Sequence, residues 1–124
     1  MAIESNVGGL SYPAGVALNT SQYLFMKLNA SGQIIPCSVA GEASIGVLQD
    51  APLAIGRAGA VSKVGMQTKV LFGAAVTAGA KMTTDATGKA ITAATGNIEL
   101  GTCTEGGSVG QVGSILFVPG RTAP

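Results

Sequence analysis

The chain has 124 residues, enough for one domain with a modest core, and only 10% of them are charged. A net charge of +1, with seven Lys and Arg scattered from Lys27 to Arg121, excludes the clustered basic face that nucleic acid needs. The absence of histidine excludes imidazole catalysis and histidine metal sites, and no apolar run approaches the ~18 residues of a membrane span.

The N-terminal residues MAIESNVGG lack the basic region and long apolar run of a signal peptide, so a soluble, unprocessed chain is expected. Residues 1–17 show no regular period, and Gly8-Gly9 and Pro13-Ala14-Gly15 break any element there. Ile3, Val7, Leu10 and Tyr12 are apolar all the same. The segment therefore reads either as a frayed tail or as an extended arm that orders on a partner, which makes these four residues candidate contacts.

From Gln22 onward Leu24, Met26 and Leu28 alternate with Tyr23, Phe25 and Lys27, which is strand periodicity. With the Leu/Met face inward, Tyr23 and Phe25 are expected to point outward, either as subunit contacts or partly covered by a loop. The turn at residues 29–32 leads to a partner strand at 33–37, where Pro36 predicts an edge or a stop. A third strand is expected at 43–49, and Asp50-Ala51-Pro52 could cap a single helical turn through Ile55. Further strands are expected at 60–64 and 67–72.

A second unit then repeats the first. KMTTDATGKAI matches FMKLNASGQII at a spacing of 56 residues: Met82 on Met26, Asp85 on Asn29, Gly88 on Gly32, Ile91 on Ile35. At a spacing of 55, Gly96 falls on Gly41, Gly101 on Gly46 and Glu105 opposite Asp50. A strand follows at 97–103, then one at 112–118 that is apolar on both faces, hence central or sandwiched between subunits, and ended by Pro119-Gly120. Short strands with Gly-rich turns predict an all-β small barrel or sandwich built from two repeated β units. The domain is expected over 18–124, with repeats near 18–72 and 73–120 and an arm at 1–17.

Chemistry is expected to be absent. The six carboxylates (Glu4, Glu42, Asp50, Asp85, Glu99 and Glu105) fall in different turns and strands, and only Asp50 and Glu105 are related by the repeat. That pair reads as a cap and a turn acid rather than a catalytic dyad. Cys37 and Cys103 occupy non-equivalent repeat positions and read as buried free thiols. No serine or threonine has a base to activate it. Neither an enzyme nor a cofactor or metal is expected.

The pattern AGAKMTTDATGKAITA, then GNIELGTC and a closing VGSILFVPG, resembles the small capsid decoration (cement) proteins of tailed bacteriophages over roughly residues 20–120. The resemblance implies a β-rich, often homotrimeric protein on the capsid exterior, made in the host cytoplasm, that binds the major capsid protein across junctions. It carries no binding residues across. Deleting residues 1–15 is then expected to weaken shell binding and leave the domain folded. The alternative is a host-surface or glycan-binding β module of the virion, which the lack of Trp and the presence of only two Tyr disfavour.

Overall fold

The computed structural model describes residues 10–124, which form ten strands and no helix. They are β1 (Leu10–Pro13), β2 (Phe25–Leu28), β3 (Ile34–Pro36), β4 (Gly46–Val47), β5 (Ala58–Val61), β6 (Gln67–Leu71), β7 (Lys81–Thr84), β8 (Ala90–Thr92), β9 (Ile98–Glu105) and β10 (Val112–Thr122). The expected all-β class is the observed one.

The repeated turns are built alike, for a local reason. Asn29 Oδ1 accepts the N–H groups of Ser31 and Gln33, each at 3.0 Å. Asp85 Oδ1 accepts those of Thr87 and Lys89 at 2.8 and 2.9 Å. A side-chain oxygen thus supplies the acceptor that tightens each hairpin loop.

The pairing extends the repeat over the whole chain. In the second unit the strand order is β6-β10-β9-β7-β8 in one antiparallel sheet. The first unit has the same order, β1-β5 and β4-β2-β3, with its two pieces joined by a single bridge from Leu48 to Val61. Its equivalent in the second unit is the Cys103–Ile115 pair of the β9–β10 ladder. In each unit the first strand curls round to touch the third at one parallel bridge, Ala14 to Ile34 and Phe72 to Ala90. Each sheet is therefore strongly curled without closing fully, and the two stack as a sandwich.

This assigns the boundaries differently from the sequence pattern. β6, expected at the end of the first unit, opens the second, because it pairs with β10 as β1 pairs with β5. Residues 10–14, expected in an arm, belong to the fold: β1 pairs with β5 and Ala14 is buried. A deletion through residue 15 would therefore remove a strand and part of the core. No helical turn forms after Asp50; its Oδ1 accepts the Ala60 N–H at 3.1 Å instead. β10 runs past Pro119 to Thr122, because an irregularity between Phe117 and Arg121 takes the proline out of the ladder.

Two apolar clusters fill the molecule. Leu18, Leu24, Met26, Ile34, Leu48 and Val61 form the interior of unit one. Phe72, Met82, Leu100, Cys103, Ile115 and Phe117 are among those filling unit two, joined by Phe25, Cys37 and Val47 from unit one. The chain is thus buried on both faces where β2 begins: Leu24 and Met26 look into their own unit and Phe25 into the neighbouring one. The outward placement expected of Phe25 is corrected here, since it is 0% exposed and its ring lies 6.4 Å from that of Phe117.

Candidate functional site

The described surface offers little chemistry and a good deal of apolar area. Among the described residues, no three His, Cys, Asp or Glu side chains converge on a point that could hold a metal ion. Asp50 and Glu105 are held apart in their roles, the first on the Ala60 N–H and the second opposite Ser114 in the β9–β10 ladder. Cys37 and Cys103 are buried free thiols. Burial, with a contribution from the Glu42 charge, pushes the Cys37 thiol up to about 12, and burial also raises Cys103. Both stay protonated and unreactive at neutral pH.

One polar cluster braces the β3–β4 connection. Lys27 Nζ donates to Ser38 Oγ at 2.8 Å and pairs with Glu42 at 3.1 Å. Glu42 Oε2 also accepts the N–H groups of Ser38 and Val39 at 2.7 and 2.8 Å. Burial works against its charge, but these donors and the ammonium outweigh it and hold the carboxyl below its ordinary range.

The apolar surface comes from three places. β10 is central in its sheet, so alternate residues point inward (Ile115, Phe117) and outward (Val112, Leu116, Val118), and the outward ones are exposed. Val112 lies opposite Leu71 of β6, and Leu116 lies opposite Gln67 of β6 and Thr102 of β9, while Ser114 between them lies opposite Lys69 and Glu105, so apolar and charged side chains alternate along this strip. The second source is a set of tight turns. Residues 54–57, 63–66 and 108–111 each close with an N–H to C=O bond from fourth to first residue and carry a positive-φ glycine third. The second residue of each, Ile55, Val64 or Val109, is pushed into solvent at 64–67% exposure. Leu53 stands beside Ile55 and is equally exposed. The third place is a groove of about 540 Å³ between the end of β1 and the β2–β3 turn, lined by residues that include Leu10, Tyr12, Pro13, Leu28 and Gly32.

Of the contact residues expected from the sequence, Leu10 and Tyr12 line this groove, half-buried in β1. Tyr23 is half-buried against the unit-two core, and Phe25 is wholly inside it. Ile3 and Val7 lie outside the described residues. Leu53, Ile55, Val64 and Val109 are exposed as well, and strand periodicity does not single them out. For Ile55, Val64 and Val109 the available signal was an aliphatic residue directly before a turn glycine, where no strand face can bury it; Leu53 carries no such signal.

A model of the phage cement protein family matches residues 9–116. The chain belongs to that family. No curated protein matches it. Among solved structures it is similar to the N base of the head fiber protein gp8.5 of bacteriophage phi29. That likeness has a TM-score of 0.68 and 17% identity, and it covers 93% of this chain and 97% of the other. At that identity the likeness speaks for the fold alone. Membership in the cement family makes the chain a structural protein of a phage virion, associated with the capsid.

Proposed function

We propose that the protein binds the outer surface of a phage capsid as a homotrimer and stabilises the shell by cementing neighbouring major capsid proteins. The observation that carries this reading is the set of exposed aliphatic side chains: Leu53, Ile55, Val64, Val109, Val112, Leu116 and Val118. Isolated surface aliphatics are ordinary, but a strand face and three turn tips together on a chain with 10% charge suit repeated protein contact. Each Å² of apolar surface removed from water contributes about 25 cal/mol before ordering costs. A subunit that touches several capsid proteins adds these modest contacts as one multivalent clamp. Residues 1–9, with Ile3 and Val7, are proposed as a further contact with the shell or a sister subunit.

The test is co-sedimentation of the purified protein with undecorated capsids, its solution mass measured in parallel. Binding that raises the temperature at which shells open, with a mass three times that of the chain, is the expected result. Protein that stays in the supernatant at saturating concentration would overturn the reading.

A further inference from the structure

The joint between the two units contains a recognition event that the rest of the chain repeats only in part. Unit two receives unit one at a seat formed by the end of β6 and the β7–β8 turn. There the Phe25 N–H donates to Gly88 C=O at 2.8 Å, and the Leu71 N–H donates to Tyr23 C=O at 3.0 Å. Leu24 lies directly on Gly88, where an added Cβ would stand 3.2 Å from Leu24 Cβ. The seated segment, Tyr23-Leu24-Phe25, is short and uncharged. The repeat places the counterpart of this seat in unit one, at the end of β1 and the β2–β3 turn, and these are the walls of the 540 Å³ groove lined by Leu10, Tyr12, Pro13, Leu28, Ser31 and Gly32. Among the described residues, an added Cβ on Gly32 would meet nothing within 4 Å, so none of them fills this copy of the seat.

We infer that the unit-one groove is a docking seat for a short uncharged segment of the shell protein, which lays a leucine-like side chain on Gly32 and donates a backbone N–H to its C=O. The inference rests on the reading of the protein as a capsid-binding subunit. Among the described residues the lining carries no Lys, Arg, Asp or Glu, so these give a charged occupant no compensation for its lost hydration. Leu28, 41% exposed, stands where unit two has the buried Thr84, and Pro13 stands where Leu71 donates its N–H. The open seat is therefore more apolar than the filled one. A second copy of the chain fits poorly, because its equivalent segment, Gly79-Ala80-Lys81, offers a methyl group and an ammonium where the filled seat takes a leucine and a phenylalanine.

A synthetic peptide of residues 19–26, NTSQYLFM, titrated into the full chain is the first probe. It is expected to bind with one-to-one stoichiometry, since the unit-two seat already holds the chain's own copy. Ser31→Trp fills the groove from an exposed turn position, and Leu28→Arg brings a charge to its wall. Each is expected to abolish peptide binding and to weaken co-sedimentation with undecorated capsids at least tenfold, at an unchanged melting temperature. If wild type sediments with capsids and both variants do so equally well, the docking seat is overturned and the capsid reading stands. If wild type itself fails to sediment, both fall. Lost binding together with a lower solution mass would make a second copy the occupant, and tighter peptide binding after removal of residues 1–9 would make it the chain's own N-terminus. Either result overturns the assignment to the shell protein.

Discussion

Phe25 leaves its own unit and ends against Phe117 in the other, fully buried in a site that also holds Cys37 and Val47. Truncation to alanine opens a cavity there, and Phe25→Ala is expected to cost about 3–5 kcal/mol in chemical denaturation. Gly101 is constrained differently. Its φ is 153°, and an added Cβ would strike the Leu116 carbonyl oxygen and stand 3.0 Å from the Ile115 side chain. Gly46 repeats both features in unit one, with φ 155° and the Ser62 carbonyl in the way. Gly101→Ala is expected to destabilise by about 3 kcal/mol, strain and overpacking together; a melting temperature within a degree of wild type would contradict this. Tyr23 shows the opposite resolution of the same problem. It keeps φ at 70° where the repeat has Gly79 at 90°, and it retains the side chain because the ring packs on the unit-two core.

At the scale of the element, the β3–β4 connection depends on an ionised Glu42. Its carboxyl is held below the ordinary range by Ser38, Val39 and Lys27, so its contribution is complete above the unfolded carboxylate range and is lost as pH falls through the lower folded value. Stability is therefore expected to decline on acidification below about pH 4. Glu42→Gln is expected to lower stability by about 1 kcal/mol at pH 7 and to flatten that decline, as read by urea midpoints at pH 7 and pH 3. The hairpins were the most legible elements, because Asn29 and Asp85 bond their own turns and Gly32 and Gly88 follow at fixed offsets. The segment after Asp50 was the least legible. Asp-x-Pro suits a helix start and an irregular loop equally, and here the Ala60 N–H captured the carboxylate first.

The whole molecule behaves as one unit because the core of unit two is completed by unit one. Phe25, Cys37 and Val47 cross the joint, so separate melting of the two repeats is not expected. Calorimetry should give one transition with equal calorimetric and van't Hoff enthalpies, and two transitions would show the joint to be weaker than described. Shell binding belongs to the same scale. Leu116→Lys and Val109→Lys, on the outer β10 face and a turn tip, are expected to reduce capsid co-sedimentation severalfold each and to leave the fold unchanged. Capsid affinity unaffected by both would remove the aliphatic surface from the contact. Leu10 and Tyr12 were visible in the sequence as apolar residues in an irregular stretch. Their pairing with β5 was not, because a partner some 50 residues away leaves no local trace.

The sequence by itself determined the β class and the doubled hairpins, since turn bonding and side-chain alternation are local properties. Only the tertiary structure decided which face of β2 is interior. Alternation distinguishes two faces of a strand but cannot tell that both are covered at its start, where the second unit covers the one that carries Phe25. The same packing filled the unit-two copy of the seat with Tyr23-Leu24-Phe25, while the unit-one copy remains a groove among the described residues.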